Sequence, residues 1–325
     1  MKNSISRKEF IKLSTMTTLA LPVLGYTACS GKKETPIETQ APTEVATPSV
    51  VYSDRLGMQV FGVRQMLEKD LQGVFKALAE IGIKNIELFD PATLKTYVPI
   101  IKDLGMTPLS THFLPGYISG KWDTVKKIGM TPPQNYNFQN IVDDCVANGV
   151  KYLGIAIMMP EERQSMDDFK KFADLANKHG EISKQAGVQL YYHNHSFEFK
   201  PTGGLIPFDE MLKIFDPELV KIELDAFWVT IANNDPIQWI NKLGNQLLFI
   251  HMKDLKAGTP TDYTVFEVDH AVFLEIGDGV IDFKKVLEAA KAAGVQYAFL
   301  DQDHTAMDKL ESVRKSYGYL KGLGI

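Results

Sequence analysis

Five of the seven histidines in this chain, His112, His193, His195, His251 and His304, stand at the ends of short apolar runs. Glu87, Asp225, Asp254, Asp301 and Asp303 stand at or just past the ends of such runs too, with Arg64, Trp228 and Lys253 close by. Taken singly, each has a plain structural explanation. A carboxylate after an apolar run is often a helix cap, and Asp254 and Asp303 fit that as well as they fit a site. A lone histidine is often a satisfied interior residue, and Trp228 could be packing. Recurrence is what points to chemistry. Several desolvated carboxylates at one place repel one another, and a divalent cation relieves the repulsion. Imidazole and carboxylate ligands together suit Mn, Co, Zn or Fe better than Ca. The expected cofactor is therefore one divalent metal ion.

The elements that must carry these residues repeat. Apolar runs cover 58–63, 85–89, 107–113, 152–157, 189–195, 220–225, 247–251 and 296–301. Between them, segments such as 71–81, 169–185 and 283–293 place apolar residues three and four apart, the spacing of an amphipathic helix. Gly82, Gly105, Gly149, Gly187 and Gly294 each precede an aliphatic residue at a helix-to-strand joint, where glycine suits the left-handed residue that ends a helix. Strands alternating with helices predict an α/β fold with a parallel sheet. Eight units over about 270 residues predict a single-domain (β/α)8 TIM barrel. A doubly wound open sheet would need a glycine-rich phosphate loop after the first strand, and Val63-Arg64-Gln65-Met66 is not one. In a barrel the strand ends form one mouth, where active sites sit. Segment 114–137, with Tyr117, Trp122 and several prolines, is expected to act as a lid, an oligomer contact or a passive insertion.

The N-terminus reads differently. Lys2, Arg7, Lys8 and Lys12 precede a short apolar stretch over 13–25, as in an export signal too short to span a bilayer. Residues 6–12 resemble a twin-arginine signal with lysine as the second basic residue. Tyr26-Thr27-Ala28-Cys29 resembles a bacterial lipobox, which implies diacylation of Cys29. Residues 1–29 are thus expected to be an export signal, 30–53 a disordered tether rich in Thr, Pro, Glu and Ala, and 54–325 the barrel. The expected location is an exported lipoprotein held at the membrane by its lipid and facing the periplasm. With Cys29 acylated, Cys145 is the remaining thiol, in a helical pattern that suits the core. Two cysteines build neither a disulfide framework nor a cysteine zinc site. A net charge of −5 disfavours nucleic acid as a partner.

Four motifs together carry a family resemblance: Tyr192-His193-Asn194-His195-Ser196-Phe197-Glu198, Leu224-Asp225-Ala226-Phe227-Trp228, His251-Met252-Lys253-Asp254, and Gly277-Asp278-Gly279-Val280-Ile281-Asp282-Phe283. In this order they resemble the xylose-isomerase-like TIM-barrel family, which includes proteins labelled sugar phosphate isomerase/epimerase, over about residues 58–320. The resemblance implies a metal held by an acid from the fifth strand, an aspartate from the sixth, a histidine from the seventh and a glutamate from the eighth. Asp225 and His251 match that pattern, and Asp301 stands where the glutamate would be. No glutamate occupies the usual fifth-strand position, so Glu198, His193 or His195 is left to complete the set, with Glu198 the choice made here.

The chemistry that follows is enolisation of a small carbohydrate. A base, His195 or His193, tuned by the metal and Glu198, takes the proton next to a carbonyl, and the metal stabilises the enediolate. Lys253 and Arg64 orient substrate oxygens, Glu87 and His112 bind hydroxyls, and Trp228 lies beside the sugar. Isomerisation or epimerisation is the first expectation. Elimination from a keto-sugar or 3-keto-glycoside is the alternative, because the glutamate pair that trades a proton in the epimerases is altered. A non-catalytic sugar-binding lipoprotein and a nuclease rank below these. Export argues for a non-phosphorylated substrate, and an oligomer is compatible with the chain.

Overall fold

The computed structural model describes residues 52–127 and 132–325. The expected export signal, Cys29 and the tether as far as residue 51 lie outside the described residues, as does 128–131 within the expected lid.

Ten strands form in the described part: β1 (Leu56–Gln59), β2 (Asn85–Leu88), β3 (Thr107–Phe113), β4 (Tyr152–Ile155), β5 (Gln189–His193), β6 (Val220–Asp225), β7 (Leu247–Met252), β8 (Asp254–Leu255), β9 (Phe273–Leu274) and β10 (Tyr297–Leu300). Eight of them close a parallel barrel in the order β1-β10-β7-β6-β5-β4-β3-β2. β8 and β9 pair antiparallel outside it. The barrel strands are buried almost throughout, which is why they read as near-continuous apolar runs.

The outer helices follow the sequence periodicity. In Leu71–Ile81 the Asp70 carboxylate accepts the Gly73 N–H at the start, Gly82 ends the helix at φ 105°, and Val74, Phe75 and Leu78 face the strands. Leu94–Asp103, Phe138–Asn148, Met166–Gln185, Pro207–Leu212, Pro236–Leu243, Phe283–Ala292 and Lys309–Gly322 complete the ring. Cys145 is wholly buried in that layer.

One expected element is shorter than its apolar run. β1 ends at Gln59 rather than continuing to the position before Arg64. The Gln59 side chain accepts the Phe61 N–H and turns the chain into short helical segments at Phe61–Val63 and Arg64–Leu67. A local side-chain bond thus competes successfully with the sheet ladder.

Inside the barrel, residues two apart point to the same side. Tyr152, Tyr191, Phe249, Tyr297 and Phe299 fill the lower interior, with ring centroids of 5.4 Å for Tyr191–Phe249 and 5.2 Å for Phe249–Phe299. Further along the same strands stand His193 and His251, and Asp301 directly follows β10. Gly154 makes room between the layers, since a Cβ there would lie 2.5 Å from His112 and Tyr191. At the mouth, Asp254 is neither a helix cap nor a ligand. Its carboxylate accepts N–H groups from Leu255, Gly277, Gly279 and Ile281, and so ties β8 to the glycine-containing loop. Within segment 114–127, Tyr117 packs edge-on to Trp122 with centroids 4.8 Å apart. No helix among the described residues is long and apolar enough to cross a membrane.

Candidate active site

The C-terminal ends of the strands open on a cavity of about 540 Å³. Arg64, His112, His193, His195, Trp228, Lys253, Asp301 and Asp303 line it. At its base, one ligand atom each from His193, Asp225, His251 and Asp301 lies within 4.8 Å of the others. β5, β6 and β7 supply the first three, and Asp301 follows β10. Asp225 and His251 are directly opposite in the β6–β7 ladder. Below lies a second buried group, His112, His193, Glu223 and His251, which shares two histidines with the first.

Charge is closely balanced here. Lys253, fully buried, places Nζ 2.9 Å from Asp225 Oδ2 and 2.8 Å from Asp303 Oδ2, and also contacts Asp301. Burial works against the ammonium, but the charges of Asp225, Asp301 and Asp303 hold it well above the usual lysine range. Burial lifts Asp225 to about 6 despite Lys253. Asp301, also buried, is nevertheless held low by Lys253 and His251. Burial opposes the proton on His112, yet Glu87 and Glu223 raise it to about 9. His193 and His195 move the other way: burial first, then neighbouring positive groups, push both well down, so both are neutral imidazoles at neutral pH.

Two observations show that the upper group fits a divalent cation. The donor set is mixed imidazole and carboxylate from four separate strand ends. In addition, Asp225 Oδ2 and His251 Nδ1, both fully buried, are met only by ion pairs, the shortest with Lys253 Nζ at 2.9 Å and with Asp301 Oδ2 at 3.3 Å. Lys253 approaches Asp225 Oδ2 as an ion pair, outside hydrogen-bonding geometry. Buried polar atoms in native proteins are rarely left so.

The family profile described as xylose isomerase-like TIM barrel matches residues 75–321. The chain belongs to that family. An inosose dehydratase of Clostridium beijerinckii is 24% identical over 204 residues, which cover 60% of this chain and 64% of that protein. The chain spans from about half to just under two thirds of the length of such curated relatives. Among solved structures, a sugar phosphate isomerase/epimerase from Parabacteroides distasonis superposes with a TM-score of 0.66 at 22% identity, covering 89% of this chain and all (100%) of that one. The 3-keto-D-glucoside 4-epimerase from E. coli superposes at 0.57 with 17% identity, covering 82% of this chain and 99% of its own. These likenesses show the fold.

In this xylose isomerase-like chain, the structure brings together Asp225, His251, Asp301, His193 and Lys253, and sets His195, Trp228, Arg64 and His112 around the cavity. Two expected residues lie elsewhere. Glu198 belongs to neither metal-competent group. It accepts the Tyr192 hydroxyl at 2.6 Å and the His195 N–H at 3.0 Å. Strand alternation turns Tyr192 outward against Phe172 and Phe215, and Glu198 follows it to that side. His193 takes the fifth-strand place in the group instead. Glu87 is also withdrawn from the cavity. It is fully buried, and Ser110, Tyr191, His112 and His251 all contact its carboxylate. It has no free oxygen to offer a substrate hydroxyl.

Glu223, Tyr191, Ser110 and the pairing role of Asp303 are absent from the sequence-based set. A signal for three of them existed. Glu223, Tyr191 and Ser110 each stand two residues before a site residue on the same strand, which places them on the same inner face.

Proposed function

We propose that this protein enolises a small, non-phosphorylated keto-sugar and then expels an oxygen substituent beta to the carbonyl, acting as a lyase with one divalent ion at His193, Asp225, His251 and Asp301. The observation that carries the reading is His195. It lines the cavity 4.9 Å in ring centroid from His193, and its buried Nδ1 has no hydrogen-bond partner. A neutral imidazole on the cavity wall is equipped to take a proton.

When bound, the ion supplies Lewis acidity to a carbonyl and its neighbouring hydroxyl. The side chains do the rest. His195 removes the proton alpha to the carbonyl. A carbon–carbon double bond forms as the beta carbon–oxygen bond breaks, and the imidazolium returns its proton to the departing oxygen. Trp228, 5.1 Å from the His195 ring, walls the base from water. Glu198 fixes the His195 backbone from behind, an indirect role in place of the ligand role expected of it. Lys253 is committed to three carboxylates, as His112 is to Glu87 and Glu223, so Arg64 takes the role of orienting substrate oxygens.

Relatives named inosose dehydratase support elimination. The structural neighbours named as isomerase/epimerases support a second reading, in which the proton returns to carbon. Incubation of the metal-loaded protein with 3-keto-glucosides and cyclic keto-polyols in deuterium oxide separates them. Elimination yields an ultraviolet-absorbing enone and a released alcohol or water, whereas epimerisation yields a deuterated diastereomer. Neither product from any keto-sugar would sink both. Sugar phosphates should turn over more slowly than free sugars, because the cavity cations Arg64 and Lys253 are matched by Glu68, Asp301 and Asp303; faster turnover would reverse that part.

The proposal also keeps the chain exported and lipid-anchored at Cys29, on the strength of the lipobox-like 26–29 segment. Cells fed an alkynyl fatty acid should label the wild type and not Cys29→Ala. Equal labelling of both would end the anchor reading.

A further inference from the structure

The two histidines shared by the upper and lower groups face opposite ways. His193 points Nδ1 at Glu223 Oε2, 3.1 Å away, and Nε2 toward Asp225 Oδ2 at 3.9 Å. His251 does the reverse. Its Nε2 lies 2.7 Å from Glu87 Oε1 and 3.0 Å from Glu223 Oε1, while Nδ1 faces Asp301 Oδ2 at 3.3 Å and Asp225 Oδ2 at 4.0 Å. Each ring therefore spans from a lower carboxylate to the upper group.

Strand register makes this possible. β6 lies between β5 and β7, and Glu223 is directly opposite His193 in the β5–β6 ladder. Two residues later the same strand delivers Asp225 to the upper group, opposite His251. One strand thus supplies both a ligand and the support for its neighbours' ligands.

We infer that Glu223, together with Glu87, is a positioning residue for the metal site: it takes the proton-bearing nitrogens of His193 and His251 from below, so that His193 presents Nε2 and His251 presents Nδ1 to the ion. The inference deepens the metal reading of the upper group and rests on it. A carboxylate behind a ligating imidazole fixes its tautomer and orientation and raises its basicity.

The lower group could instead hold a second cation, but the Glu87 carboxylate beside it is already engaged. Glu87 Oε2 accepts hydroxyls from Ser110 and Tyr191, both at 2.5 Å, and Oε1 faces His112 at 3.0 Å as well as His251. Those contacts use the four acceptor directions of a carboxylate. Glu223 Oε2 also faces His112 Nε2 at 2.8 Å. Its Oε1 is fully buried and faces His251 Nε2 at 3.0 Å outside hydrogen-bonding geometry, so metal stoichiometry is what separates support from a second ion.

The test uses the full chain, stripped of metal and titrated with Zn²⁺. In the zinc-loaded wild type, nitrogen-15 spectra of labelled histidine should show His193 protonated at Nδ1 and His251 protonated at Nε2, each coordinated through its other nitrogen. Glu223→Gln should leave the far-ultraviolet circular dichroism unchanged and weaken zinc binding by about 10–100-fold. Opposite tautomers in the wild type, or a Glu223→Gln affinity within twofold of wild type, would overturn the inference while leaving the metal site standing. Two zinc equivalents falling to one in Glu223→Gln would overturn it in favour of a second cation. Zinc that fails to bind the wild type at all would remove the metal reading and this inference with it. Should Glu223→Gln not fold, the wild-type tautomers decide alone.

Discussion

Asp225→Asn should abolish metal binding and lower turnover about 10³-fold, the equivalent of about 4 kcal/mol of transition-state stabilisation. The substitution suits the purpose because it spares the fold. Asp225 Oδ1 accepts the Trp228 N–H at 3.0 Å and so starts the helix Ala226–Ile231, and asparagine retains that acceptor. What it removes is charge, along with Oδ2, the buried oxygen that lacks a hydrogen-bond partner. Lys253 keeps Asp301 and Asp303, so its ammonium stays compensated. Elemental analysis is the primary readout: about one equivalent of Mn, Co, Zn or Fe in the wild type and none in the variant. Combining it with His251→Ala removes two of the four proposed ligands. A double variant that still carries a full equivalent would show that the ion sits elsewhere, and the mechanism built on this group would go with it.

The second large effect falls on His195. Replacing it with alanine should lower turnover by about 10²–10⁴-fold, the usual contribution of a positioned general base, while metal content stays at the wild-type level. That separation distinguishes base from ligand. His195 lies outside the four-residue group, yet shares the cavity wall with His193 and Trp228. The pH profile gives an independent check. A base works when neutral, and burial together with Lys253 and Arg163 depresses the His195 pKa below its ordinary 6.5. A bound cation pushes the same way. Activity should therefore persist as pH falls through 6.5, and the acid limb should lie below it. Loss of metal in His195→Ala, or turnover within threefold of wild type, would move the proton-transfer role to another residue.

Several features were open to reading from residue types and spacing. All eight barrel strands were visible as apolar runs, because parallel strands buried on both faces leave no polar alternation to blur them. Their partner helices were visible through three- and four-residue spacing, and the glycine joints marked where each ended. Asp225, His251 and Asp301 stood out as polar residues closing apolar runs, a position that in a barrel leads to the mouth. The family resemblance pointed to the same three.

Other features needed the folded chain. Glu198 and His193 are five residues apart, and motif position alone could not choose between them. Alternation sends Tyr192 to the helix side and His193 to the interior, and Glu198 bonds to Tyr192. Glu223 hides within the run Val220–Asp225, where an interior glutamate looks like an exception until β5 and β7 place histidines on either side of it. Lys253, expected to orient substrate oxygens, lines the cavity and is at the same time held by three carboxylates from two other strand ends.

Residue type and periodicity determined which elements form, and that acids and imidazoles converge at one mouth, because both follow from local geometry and from the cost of burying polar groups. Which nitrogen, oxygen or ammonium meets which partner was decided only when the barrel closed. Those contacts join residues up to 164 positions apart in the chain, and their pairing depends on strand register and ring orientation, neither of which a linear pattern contains.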